Sequence, residues 1–157
     1  MKYTRLSKEQ FESLHQEFSI FLASQSINKK EWSQIKKSNT ELTDQLLDLF
    51  SDMVWDESLE KITYLENRSS HHLFLFKCQD SRIDLILIQL EKDCPSLLNK
   101  NYKVWLSQNI SNPSVSIFES SRIFDESFKE EKFKLLKKGA SVADGKTFED
   151  LKSFLLK

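Results

Sequence analysis

Residues 73–90 read LFLFKCQDSRIDLILIQL, and this stretch decides the fold class. Leu73 to Cys78 and Ile83 to Leu90 are two runs of β-forming residues, separated by the polar tetrad Gln79, Asp80, Ser81 and Arg82. Apolar runs of this length around a short polar break read as an antiparallel hairpin. In the second run Ile83, Leu85 and Leu87 point one way, while Asp84, Ile86 and Ile88 point the other. A strand apolar on both sides near its middle is covered on both faces. It belongs inside a sheet.

Working back toward the N-terminus, the period changes from 2 to about 3.6. Ser7 followed by Gln10 is a capping-box pattern, and Phe11, Leu14, Phe18 and Phe21 recur at helical spacing, which predicts one helix over residues 8–24. Trp32 and Ile35 mark a short second helix. Asn39 or Thr40 caps a third, whose apolar face holds Leu42, Leu46, Leu49, Phe50, Met53 and Val54. A further strand covers residues 62–65.

Working forward, Asp93 and Pro95 predict a helix start, with Leu97, Leu98, Tyr102, Trp105 and Leu106 on its face. The alternation Tyr102, Val104, Leu106 also suits a strand, so residues 95–108 stay open between the two. Residues 115–118 read as a short strand. A helix opened by Phe124 and Phe128 stops at Lys137, Lys138 and Gly139, and a small terminal helix follows, with Thr147 and Asp150 as its capping pair. The expected architecture is a single α+β domain over residues 1–157. Its helical unit spans residues 1–60, and an antiparallel sheet covered by helices spans residues 61–157.

Composition removes several functions. Only two glycines occur, Gly139 and Gly145. The first 138 residues therefore hold neither a glycine-rich phosphate loop nor a glycine-flanked nucleophile turn. The 23 basic and 24 acidic residues nearly cancel, which gives no general attraction to nucleic acid or anionic membrane. Cys78 and Cys94 are the only cysteines, with no C-x-x-C spacing, as expected of free thiols in a reducing compartment. The first ten residues are polar and mixed in charge, and no apolar run is long enough to span a bilayer. The expectation is a cytoplasmic protein without cofactor.

Five constellations invite a chemical reading. His71 and His72 are neighbours at the start of a strand, where successive side chains diverge, so they do not chelate one metal. Glu12 and His15 form one Glu-x-x-His unit, half of what a di-metal bundle needs. Asp80, Asp84, Glu91 and Lys92, with His71 or His72, supply the residue types of a metal-dependent nuclease or hydrolase. Glu91 and Lys92 are adjacent rather than alternate, so they too diverge. The carboxylates Asp44, Asp48, Asp52 and Asp56 stand at i,i+4 spacing and make an acidic stripe on the third helix. Its three like-charge pairs cost about 0.2–0.5 kcal/mol each. The stripe is either a solvated face or a docking surface for a basic partner. Finally, Lys29, Lys30, Trp32, Lys36 and Lys37 interleave cations with an aromatic, as do Lys132, Phe133, Lys134, Lys137 and Lys138. Such segments bind single-stranded nucleic acid or are simply amphipathic helices.

Three stretches carry a resemblance: residues 8–15 continuing through 26–32, residues 55–78 with the Asn67-Arg68-Ser-Ser-His71-His72 core, and residues 137–145. In these the chain resembles a family of small bacterial cytosolic proteins built on a domain of unknown function, along nearly its whole length. The resemblance implies a bacterial cytosolic setting and assigns no reaction. The functional expectation is a non-enzymatic module that binds a protein partner through the acidic stripe or the Trp32 segment. The alternatives are the metal-dependent hydrolase and an RNA-associated protein.

Overall fold

Asn28 and Asn39 punctuate the helices of the N-terminal part, as their short amide side chains require. The structure is a computed structural model and describes all 157 residues. Two compact units emerge, residues 1–60 and 61–157.

In the first unit Ser7 and Gln10 close a reciprocal capping box at the head of α1 (Lys8–Ser13). Leu14 then leaves helical geometry, with φ −108° and ψ 23°, so the single helix expected over residues 8–24 is two, α1 and α2 (His15–Ser24). The periodicity of Phe11, Leu14 and Phe18 survives this break, which is why it does not show in the pattern. Helix α3 (Lys29–Ser38) is capped by Asn28, and α4 (Thr40–Lys61) follows, with Asn39 Oδ1 accepting the Leu42 N–H. Leu6, Phe21, Leu22, Leu46 and Phe50 form the core. Phe18 joins it to the surface through edge contacts with Phe50 and Trp32, at 5.0 and 5.3 Å between ring centres.

The second unit is the sheet. Its elements are β1 (Tyr64–Arg68), β2 (His72–Gln79), β3 (Arg82–Leu90), α5 (Tyr102–Asn109), β4 (Val115–Ile123), α6 (Phe128–Lys137), β5 (Ser141–Ala143) and α7 (Lys146–Leu155). All pairings are antiparallel, in the order β4-β3-β2-β1-β5. The chain is thus of the α+β class. Gln79 pairs with Arg82, leaving Asp80 and Ser81 as a two-residue turn, both at positive φ (54° and 60°). This is the geometry that matches strand twist in tight hairpins. One face of the sheet packs Leu73, Leu75, Ile86 and Ile88 against Leu106 of α5 and Phe148 and Leu151 of α7. The opposite face packs Leu65, Cys78 and Ile83 with Phe128, Leu135 and Leu136 of α6. Strand β3 therefore lies inside the sheet with apolar contacts on both sides, as its pattern requires.

Five local expectations are corrected. The strand expected over residues 62–65 is Tyr64–Arg68, and the helix expected to open at Phe124 begins only at Phe128. Residues 93–101 form turns, and helix begins only at Tyr102. Pro95 there starts a loop rather than a helix, and Leu98 stays 59% exposed. The strand starting at Val115 runs on to Ile123 instead of stopping at Phe118. The terminal helix starts one residue before Thr147, after Gly145 at φ 87°, so Thr147 caps nothing. Asp144 accepts the Lys146 N–H instead. Strand β5 is too short to show a period.

Candidate interaction site

The acidic stripe of α4 is occupied by the chain's own N-terminal segment. Asp52 accepts the backbone N–H groups of Lys2 and Tyr3, at 2.9 and 3.1 Å. The Tyr3 hydroxyl donates to Asp56 at 2.7 Å, with the Lys2 ammonium 3.5 Å from the same carboxylate. Arg5 donates to Asp48 at 2.7 Å and reaches Asp44 at 3.3 Å. All four carboxylates therefore have a donor from residues 2–5, which offsets the repulsion along the helix. Two more contacts fix this segment. Trp55 Nε1 donates to the Thr4 carbonyl at 3.0 Å, and the fully buried Ser51 hydroxyl accepts the Leu6 N–H at 3.0 Å. The sequence shows the stripe but not its counter-charge, because the partners lie 39 to 54 residues away.

Beside this anchored segment lies an open groove of about 520 Å³, entirely within the N-terminal unit. Phe11, Phe18, Trp32 and Leu47 floor it, and Arg5, Lys8, Glu12, His15 and Lys36 stand around its rim. The Lys36 ammonium sits 5.7 Å from the centre of the Trp32 ring. Lys8 and Lys36 form no ion pair, whereas the Arg5 charge is taken up by Asp48 and Asp44. On α3, Lys29 and Lys36 fall within about 20° of each other, seven residues apart. Lys30 and Lys37 are turned about 100° from them, away from Trp32. The structure thus separates the five residues of the basic segment. Trp32 and Lys36 line the groove, and the other lysines are exposed on the helix. Phe11, Phe18 and Lys8 were not visible as groove residues, since a helical phenylalanine pattern reads as core. Glu12 and His15 do share the rim, but His15 Nδ1 meets the Glu12 carbonyl oxygen at 3.1 Å rather than its carboxylate.

The residues of the hydrolase reading lie apart. Asp80 occupies the β2–β3 turn, and Asp84 is held by Arg82 (3.1 Å) and by the Ser121 hydroxyl (2.6 Å). Glu91 and Lys92 follow the far end of β3, seven and eight residues beyond Asp84 and so more than about 20 Å from it along the chain direction. His72 pairs with Gln89 at that same far end, its ring stacked on Phe74, while His71 Nδ1 meets the Ser70 hydroxyl at 3.1 Å. His71 lies just before the strand, and the two imidazoles make separate contacts, one with Ser70 and the other with Phe74. No group of three or more His, Cys, Asp or Glu side chains could hold a metal ion. The Cys78 thiol is buried, and that burial, with the Asp84 charge adding to it, pushes its pKa up to about 11. In the second lysine segment Lys132 is buried, its ammonium donating to the Ile62 carbonyl at 2.8 Å, and Lys134 pairs with Glu131. A smaller hollow of about 260 Å³ lies between α5 and α7, but Lys103 and Asp150 on its rim cancel.

What the fold defines, then, is an α+β protein with an aromatic groove on its helical unit and dispersed ionisable groups. The chain belongs to the family of unknown function DUF6495, whose model matches residues 1–156. No curated protein and no solved structure matches it. No helix is long and apolar enough to cross a membrane.

Proposed function

We infer that this protein is a binding module, whose receiving surface is the groove floored by Phe11, Phe18 and Trp32. The observation that carries the reading is a groove floored by the half-buried rings of Phe11, Phe18 and Trp32, with the ammonium groups of Lys8 and Lys36, which form no ion pair, beside it. Aromatic anchors in a groove with a polar rim are the usual energetic centre of a protein contact. The rim sets two unpaired cations, Lys8 and Lys36, against the single carboxylate of Glu12. The occupant that complements it is a protein segment with apolar anchors and an acidic flank.

The acidic stripe is not part of this surface, because residues 2–5 already use it. Its role is to hold Arg5 and Leu6 in place along one wall of the groove. Of the two surfaces expected from sequence, the Trp32 segment is therefore the one proposed here.

Selection of displayed random peptides on the immobilised protein tests the reading. Enriched peptides should carry aromatic or branched residues next to Asp or Glu, and Trp32→Ala and Lys36→Glu should each weaken their binding about tenfold or more. Enriched peptides that ignore both substitutions would place the surface elsewhere. A fluorescent single-stranded RNA that binds with a steep salt dependence would favour the nucleic-acid alternative instead.

A further inference from the structure

Strand β4 ends the sheet, and no other strand of residues 61–157 pairs with its outer edge. Its nine residues pair with β3 without a break, Val115 with Leu90 through to Ile123 with Arg82. No bulge interrupts it, and no proline or lysine lies within it. Residues 116–123 make no other backbone hydrogen bonds. The row of N–H and C=O groups facing away from β3 is therefore open over the whole strand. Phe118 and Ile123 on this strand are 52% and 71% exposed. Proteins ordinarily blunt so long and regular an edge with lysine, proline or a bulge, because it is a template for another strand. The opposite edge is β5, three residues long. It offers too little ladder for the same purpose.

We propose that β4 is a self-association edge, pairing antiparallel with β4 of a second copy of this chain about a two-fold axis at Ser120. Among the three registers centred on residues 119, 120 and 121, this one suits the side chains best. Glu119 pairs with Lys152 at 3.0 Å. Centring on Glu119 would still bring two carboxylates face to face, and centring on Ser121 would put the Glu119–Lys152 pair opposite Ile123, both less favourable. Centring on Ser120 places Ile117 opposite Ile123, Phe118 opposite Arg122, and Glu119 opposite Ser121. Each pair occurs twice by symmetry. The apolar pair covers the exposed Ile123, and the Arg122 guanidinium, already 5.1 Å from the Phe124 ring, meets a second aromatic in Phe118. Phe118 also continues a cross-strand row with Leu87 and Phe74. Two five-stranded sheets become one of ten.

Sedimentation equilibrium of the full chain, with site-directed cross-linking, tests the proposal. The wild-type protein should sediment at twice its 18.5 kDa chain mass. Ser120→Lys sets ammonium against ammonium at the axis. The Ser120 side chain is exposed and makes no hydrogen bond, so this variant should sediment as a single chain with unchanged thermal unfolding. Under mild oxidation Ser120→Cys should link to itself, mapped as a 120–120 disulfide, whereas Ser116→Cys should not, since residue 116 does not meet itself in this register. A wild-type protein that stays at 18.5 kDa at all concentrations would overturn the proposal. So would a dimer that survives Ser120→Lys, or one that links through residue 116 in preference to 120.

Discussion

Arg5 Nε lies 2.7 Å from Asp48 Oδ1, and this contact changes what the acidic helix face is for. The same guanidinium reaches Asp44, so one cation answers two neighbouring carboxylates of a stripe that otherwise repels itself. The hydrogen bond to Asp48 is the main reason the Arg5 pKa is raised above its ordinary value. The stripe is an internal anchor for the N-terminal segment.

That anchoring predicts where the segment lets go. Ser51→Ala leaves the buried Leu6 N–H without its acceptor and should cost about 1–3 kcal/mol in urea unfolding. Asp52→Ala removes the acceptor for two N–H groups at the more exposed end and should cost less, about 1 kcal/mol, while speeding hydrogen exchange at Lys2 and Tyr3. Unchanged exchange at those two amides would show that the segment is held by something other than the stripe.

Gly145 has no substitute. Its φ is 87°, and a Cβ there would overlap the Tyr64 ring. Gly145→Ala should destabilise the protein by about 2 kcal/mol or more, through both the left-handed backbone and the displaced tyrosine. A loss below about 0.5 kcal/mol would mean that the ring moves aside freely.

Lys77 donates to Glu149 at 2.9 Å, and Tyr64 donates to the same oxygen at 3.1 Å. The hydrogen bond from Lys77 is the largest cause holding the Glu149 pKa below 4.5, and the reciprocal bond raises that of Lys77 above 10.5. The lowered carboxyl stabilises the fold fully above its unfolded value and loses that contribution as pH falls through the folded one. The raised ammonium contributes fully below 10.5 and loses it as pH rises through its own folded value. The carboxylate is nearly half exposed, so solvent screening keeps the effect below about 1 kcal/mol. Denaturation midpoints of the wild type and Glu149→Gln should therefore converge as the pH falls below 4.5 and through the lowered folded-state value. A constant difference between them would mean that the pair acts by packing alone.

The two cysteines should differ in kind. Cys78, buried and with its thiol pushed up to about 11, should resist a thiol reagent at neutral pH until the protein unfolds. Half-buried Cys94 should react in the native state. Rapid labelling of Cys78 would show that the sheet opens easily over α6.

Much of this fold can be read from the chain. The hairpin break between residues 78 and 83, the two-sided strand after it and the glycine stop after Lys138 each rest on a local rule and are observed. The turn itself is tighter than the polar tetrad suggests, with Gln79 and Arg82 paired as strand residues. The break at Leu14 is invisible because it leaves the apolar period intact, and Pro95 misleads because loops and helix starts both favour proline. The site is harder. Trp32 and Lys36 are recognisable as a cation–aromatic pair. The groove they line depends on Phe11 and Phe18, which pack half-buried against the core and leave only part of each ring at the surface. The partners of Asp44, Asp48, Asp52 and Asp56 are set by tertiary closure, which no local spacing records.

The central claim is that partners enter over Trp32. An amide and indole chemical-shift map, recorded while a selected acidic peptide is titrated into the protein, tests it most directly. The largest shifts should fall on the Trp32 indole N–H and on the amides of Phe11, Phe18 and Lys36, leaving Asp80, Asp84 and Glu91 unmoved. Shifts gathered on the sheet, with the Trp32 indole unchanged, would contradict it.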